Sequence, residues 1–404
     1  MTLTLLFLSC EKEQSITQSV PAPDTTPQTT LMYMTGTDLS YYFNQNITAA
    51  KTAIAAQSLG YGRFLLFKHD TSSSGNLIEY KYENGACVAD TLKTYSSIVS
   101  LTEDAIVEVI ADLKELAPAD SYNLIVSGHA TGWVKKDQTT SSWKSAPASA
   151  PVDWGLMNSS PVVTRYLGSD NDSYFDIEEL QQSLALTNTH FGYILFDECF
   201  MSSIEALYDL RNLCNYIVAS PCEIMGNGFP YDYVIPKLFS DYGTSFDLQG
   251  VCEVFVDYYS TYSFPSGCVA LTVTSELDAL ASIVKEINSS PYINEVDTDQ
   301  IQAYERLTNH IFFDLEDYML AKCADSDLAA RFLAQMELAF PSECRLHTDR
   351  FFANIGASAS SANSYDAYFT TIEYYSGITT SQPSTQSTTM TSQWEATAWA
   401  QATN

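Results

Sequence analysis

Two side chains in this sequence are of the types, and in the settings, that nucleophilic chemistry uses. His129 stands in Gly128-His129-Ala130-Thr131-Gly132-Trp133, and Cys199 in Asp197-Glu198-Cys199-Phe200-Met201-Ser202-Ser203. A thiolate attacks a carbonyl carbon well, but a thiol of ordinary pKa, about 8.5, is only slightly ionised at neutral pH. A neighbouring imidazole supplies a base, and the start of a helix after Cys199 would favour the anion. Taken singly, a buried structural cysteine and a hydrogen-bonded histidine are the commoner meaning of such residues. His69, beside Asp70, also ends an apolar run and is the weaker competitor for the base. Cys214, at a helix end, and Cys222, after Ser220-Pro221, read as structural or bridge-forming.

Cooperation between Cys199 and His129 requires a fold that brings two strand ends together. Residues 123–126 form an apolar run that leads into Ser127-Gly128-His129, and residues 193–196 another that leads into Asp197-Glu198-Cys199. Further strands are predicted at 30–35, 63–68 and 216–219, alternating with helices of 3.6-residue period at 41–56, 102–116, 176–186 and 202–213. Asn84-Gly85 between two β-like runs, 77–82 and 87–91, predicts a hairpin. Fully apolar strands alternating with amphipathic helices define an α/β fold, with a mostly parallel sheet covered on both faces. In such sheets ligands bind outside the carboxyl ends of the strands, where both candidate residues lie. The polar stretch 134–172, with Lys135, Lys136, Lys144 and Arg165, reads as a surface insertion. Beyond it, helices are predicted at 248–259, 277–287, 303–320 and 328–340, with a strand at 269–273. The Ser/Thr/Gln-rich tail 379–391 is expected as a loop or loose end. Residues 241–404 either complete the core or form a helical subdomain.

Composition narrows the function classes. The chain has 404 residues, 19 Lys and Arg against 49 Asp and Glu, and a net charge of −30. Nucleic acid and anionic membrane surfaces would repel it, whereas a cationic substrate would be attracted. Hydrophobic residues make up 46% and charged residues only 17%, which excludes general disorder. The nine cysteines are irregularly spaced, without a C-x-x-C pair, and the five histidines form no H-x-x-x-H, so the sequence gives no support to a zinc site.

Residues 32–231 resemble the clostripain-type cysteine peptidases, of the same clan as caspases, gingipains and legumain. Three segments carry the resemblance: 124–133 around Gly128-His129, 196–211 around Asp197-Glu198-Cys199, and 216–231 through Gly226-Asn227-Gly228. The resemblance implies a caspase-like three-layer sandwich with a helical C-terminal extension. It makes Cys199 the nucleophile and His129 the imidazole that handles the proton, with the backbone N–H groups of Cys199 and Ala130 as oxyanion hole. It places Asp197 in the pocket for the side chain before the cut bond, implying a peptide or protein substrate cut after Arg or Lys. Read from its position alone, Asp197 is equally a carboxylate near a helix N-terminus.

Two departures stand out: Ala130 replaces the family's glycine after the histidine, and Asn227 replaces an acidic residue in G-x-G. They motivate an alternative, a catalytically degenerate surface protein acting as a binding module; a hydrolase of another bond, such as an amide or thioester, is a third reading. The resemblance also implies self-cleavage within the insertion. The chemistry requires no cofactor. Some relatives depend on calcium, and the many carboxylates, without an EF-hand pattern, leave that open.

The first ten residues, an apolar run ending at Ser9-Cys10, resemble a bacterial lipoprotein signal that would lipidate Cys10; a cleaved signal or a disordered tail is the plainer reading. Residues 11–30 then read as a flexible tether. The expected location is extracytoplasmic: periplasm, outer membrane or secreted, with membrane contact only through the lipid.

Overall fold

The computed structural model describes residues 25–36, 39–69, 74–96, 98, 102–135, 176–355, 368–384 and 388–404. Cys10 and most of the insertion expected at 134–172 lie outside them. Its sheet is built from β1 (Gln28–Met34), β2 (Arg63–His69), β3 (Gly75–Glu83), β4 (Ala86–Tyr95), β5 (Ser121–Ser127), β6 (Phe191–Asp197), β7 (Cys214–Ala219) and β8 (Cys268–Val273). The short strand Leu346–His347 joins them in a nine-stranded sheet. From that strand inward the order is β8-β7-β6-β5-β1-β2-β3-β4. The central run β7-β6-β5-β1-β2 is parallel, and the strands flanking it on both sides are antiparallel. All seven residues of β6 and of β1 are buried, which the apolar character of residues 193–196 required and which covers both sheet faces.

The helices separate into two layers. On one side α1 (Ser40–Ala55) packs on α5 (Tyr231–Leu238) and α5 on the helix Leu248–Ser260; on the other α2 (Glu103–Leu116), α3 (Ile177–Leu186) and α4 (Ile204–Leu210) pack in series. The C-terminal helices Leu277–Ser289 and Ala398–Thr403 extend the second layer, each touching the other and the latter touching α4. Local chemistry fixes the boundaries. Thr102 accepts from the Ala105 N–H to start α2. Asn84 and Gly85, both at positive φ, make the predicted β3–β4 turn.

Three expectations are corrected. First, β1 begins at Gln28 inside the supposed tether, because the Gln28 amide bonds the carbonyls of Leu238 and Gly243, both at 3.1 Å. Second, 303–320 is not one helix. Helix Leu315–Lys322 follows a loop whose backbone N–H groups at Leu307 and Ile311 bond the buried Glu305 carboxylate at 2.8 and 2.7 Å. Third, the tail is not loose. Thr379 and Thr380 pair with Asp314 and Phe313, and Ser381 N–H and the Trp394 indole donate to buried Glu205 at 2.8 and 2.9 Å.

Candidate active site

The site follows from one strand register. β5 and β6 run parallel with Ser127 opposite Asp197 as the last pair. Two steps beyond, His129 and Cys199 leave adjacent strands at the carboxyl edge, neighbouring strands being about 4.8 Å apart. The closeness is visible at Gly128, where any Cβ would stand 2.4 Å from Thr35 Oγ1 and 2.9 Å from Glu198 Oε1, so only glycine fits. The strand ending at His69 lies three places from β6 in the sheet, roughly 14 Å away at the usual spacing. Topology thus favours His129 as the cysteine's partner.

Cys199 is fully buried. Its sulfur lies 3.2 Å from the backbone nitrogen of Ile224, which donates to it, and 3.7 Å from the Ile224 carbonyl oxygen. The peptide after it is held firmly: Phe200 has φ of 60°, its N–H donates to Cys222 O at 3.1 Å, and Ser202 N–H donates to Ser220 O at 2.9 Å. A left-handed phenylalanine is strained unless its surroundings enforce it, and these bonds do so. The helix expected from 202 is present but starts two residues later. Helix α4 begins at Ile204, capped by the Ser203 hydroxyl, so the N–H of Ile224 rather than a helix terminus is the dipole at the sulfur. Elsewhere burial pushes the thiols of Cys214 and Cys344 up to about 12, and those of Cys252 and Cys268 upward as well, which keeps them protonated.

Asp197 is likewise fully buried. Its Oδ2 accepts from the Tyr231 hydroxyl at 2.8 Å and from Ser127 Oγ at 3.3 Å. Because α4 starts only at Ile204, Asp197 is not a first-turn helix carboxylate; Glu205 holds that place. Asn227 is half-buried, its amide 3.5 Å from the Tyr262 hydroxyl and its carbonyl oxygen accepting from Asn46 at 2.7 Å. Ala130 is half-buried and packs on the core. The left-handed backbone falls on Gly132 and Phe200, not on Ala130, so the alanine carries no such strain.

Sequence reasoning missed Ile224 and Phe312. Phe312 stacks on Phe200 with centroids 4.6 Å apart, and a Cβ on Gly132 would lie 2.7 Å from Phe200 O and 3.3 Å from Phe312. No sequence signal marks either residue, since both act from loops that only the tertiary fold brings to the cysteine. Lys135, one of the candidate self-cleavage sites, pairs with Glu178 at 2.8 Å, while Lys136, Lys144 and Arg165 lie outside the described residues. Among the described residues no cluster of three or more His, Cys, Asp or Glu is arranged to hold a metal ion.

The mostly parallel sheet between helix layers, with a cysteine and a histidine just past the ends of adjacent strands, has the architecture of a cysteine peptidase of the α/β type. The chain belongs to the clostripain family, whose model matches residues 153–397. It is similar over 95% of its length to a secreted C11 cysteine protease from Bacteroides thetaiotaomicron, "iotapain", all of which is covered, at 32% identity and TM-score 0.79. An inactive zymogen C11 protease from Parabacteroides distasonis matches at 25% identity and TM-score 0.76, over 95% of this chain and 99% of that one. A clostripain from B. thetaiotaomicron, in complex with the peptide inhibitor BTN-VLTK-AOMK, matches at 36% identity and TM-score 0.52, over 59% of this chain and 99% of that one. No curated protein matches this chain.

Proposed function

We propose that the protein is an extracytoplasmic endopeptidase that uses Cys199 and His129 as a catalytic dyad and cleaves after Lys or Arg. The observation that supports this reading is the Ser127–Asp197 register, the last pair of two adjacent parallel strands, two residues before His129 and Cys199. His129 takes the thiol proton as the Cys199 sulfur adds to the peptide carbonyl carbon. The oxyanion is met by the N–H groups of Cys199 and Ala130. Collapse breaks the C–N bond, the imidazolium gives its proton to the departing amine, and water then hydrolyses the thioester, restoring the thiol. The Ile224 N–H stabilises thiolate character in the resting state.

Buried Asp197 is the proposed selector for a cationic side chain, and the net charge of −30 attracts such substrates. The inhibitor bound by the Bacteroides clostripain, VLTK, ends in lysine, which supports the same preference. The covered sulfur fits a latent form matured by cleavage in the stretch between the His and Cys segments. Secretion of the iotapain relative supports an extracytoplasmic place, with Cys10 as the proposed lipid anchor. Among the described residues no helix is long and apolar enough to cross a membrane. Purified protein should hydrolyse Lys- and Arg-ended chromogenic peptides, and Cys199→Ala should abolish turnover; full activity in that variant removes the assignment. A degenerate binding module, favoured by Ala130 and Asn227, predicts no turnover and no preferential alkylation of Cys199 by a lysyl chloromethyl ketone.

A further inference from the structure

The motif that supplies His129 ends in a tryptophan to which the proposed chemistry gives no role. Trp133 is buried, and its indole N–H donates to Ser381 Oγ at 2.8 Å, across 248 positions of sequence. A tight turn links this anchor to the histidine. The Thr131 hydroxyl donates to the Val134 carbonyl at 2.9 Å and the Val134 N–H to the Thr131 carbonyl at 3.3 Å, with Gly132 at positive φ between them. The turn begins two residues after His129, so what holds Trp133 also restrains the backbone next to the imidazole.

Ser381 directly follows the short strand Thr379–Thr380, which is fastened on both edges. On the cysteine side the Ser202 hydroxyl donates to Gly377 O at 2.7 Å, the Thr379 N–H donates to Ser202 O at 2.9 Å, and Ser203 pairs in parallel with Thr379. Along the other edge Thr379 and Thr380 pair with Asp314 and Phe313, next to the Phe312 ring that stacks on Phe200. One C-terminal strand therefore reaches the segment after the histidine and the segment after the cysteine. Ser202, Ser203, Thr379, Thr380 and Ser381 are all buried, where a hydrogen bond is costly to lose because water does not replace the missing partner. The β5–β6 ladder ends at Ser127 and Asp197, before either candidate residue, and this strand supplies a second tie beyond it.

We propose that Trp133 and Ser381 are positioning residues: their hydrogen bond fastens the His129 segment to the C-terminal strand that also holds the Cys199 segment, and so sets the geometry of the dyad. This rests on the peptidase reading above.

The test uses the full chain. Trp133→Phe keeps a buried ring and removes the N–H, and Ser381→Ala removes the acceptor. With a Lys-ended chromogenic peptide, kcat should fall at least about 10-fold in each variant while KM stays within about twofold, because misplaced reacting groups cost rate and not binding. The double variant should be no slower than the slower single one, since both substitutions break the same bond. The acidic limb of the pH profile for inactivation of Cys199 by a lysyl chloromethyl ketone should move to higher pH, as a displaced imidazole assists the thiol less. A bond that only holds the fold together would lower the urea midpoint and leave kcat and that limb in place. Urea unfolding shows whether each variant is folded, and Ser381→Ala, which deletes a single oxygen, is sufficient by itself should Trp133→Phe not fold. Wild-type kcat in the folded single variants, losses that multiply in the double variant, or an unmoved acidic limb overturns the proposal. An active wild-type enzyme indifferent to both substitutions sinks the positioning role alone, whereas a wild-type chain that hydrolyses no peptide sinks the peptidase reading and this role with it.

Discussion

The ring of Phe312 lies on that of Phe200 with planes only 12° from parallel and centroids 4.6 Å apart. Phe200 immediately follows Cys199, the proposed nucleophile, and sits at φ of 60°, so the stack bears on the strained peptide beside that thiol. Phe312→Ala should open a cavity and lower unfolding stability by about 3–5 kcal/mol. It should also lower kcat by at least about 10-fold with KM little changed, since small misplacement of reacting groups is expensive. Urea denaturation and steady-state kinetics check both; unchanged kcat would show that Phe200 holds its place without the stack.

Gly132 closes the clamp from the histidine side. Its φ of 61° suits glycine, and an added Cβ would stand 2.7 Å from Phe200 O. Gly132→Ala should therefore be worse than its single methyl suggests: a left-handed penalty of about 1–2 kcal/mol plus displacement of the His129 segment from the Cys199 segment. The expected outcome is slowed alkylation of Cys199 by iodoacetamide together with lost turnover, in protein that still unfolds cooperatively. Wild-type alkylation and turnover in that variant would contradict it.

Much of this architecture was legible because it rests on local patterns. Apolar runs named β5 and β6, the Asn84-Gly85 turn named a hairpin, and the motif ends put His129 and Cys199 at one edge. What escaped were features set by contacts distant in sequence. Ala303, Tyr304, Leu307, Ile311 and Phe312 mimic helical spacing, but the Glu305 carboxylate gathers the N–H groups of Leu307 and Ile311 into a loop. The tail 379–391 looks polar enough to be solvated. Its Thr380 hydroxyl and Ser381 N–H instead donate to Oε1 of Glu205, which burial holds above the usual carboxylate pKa. The dipole at the sulfur comes from Ile224, on a loop after β7, and no pattern around Cys199 announces it.

Asp197 is a selective test of specificity because its carboxylate already serves the fold through Tyr231 and Ser127. Asp197→Asn keeps an acceptor oxygen for these hydroxyls but removes the charge. For a substrate cut after Lys, kcat/KM should fall about 10- to 100-fold, the usual worth of a charged hydrogen bond, while an otherwise identical norleucine peptide changes little. Equal losses for both peptides would assign Asp197 to structure alone.

The loop that carries Phe312 is fastened by His310 and Glu305, whose hydrogen bond raises the imidazole pKa above its ordinary value of about 6.5. The folded state then binds the His310 proton more tightly than the unfolded state does. Its stabilisation is complete below about pH 6.5 and disappears as pH rises through the higher folded value. Asp314, pushed up to about 6 by burial, favours the folded state in the same direction but is already spent above that pH. The midpoint of urea unfolding should therefore decline as pH rises beyond 6.5, and His310→Gln should flatten the decline there while leaving the more acidic slope, set by Asp314, in place. A profile in His310→Gln that parallels wild type across neutral pH would detach the Glu305–His310 bond from the stability of the loop.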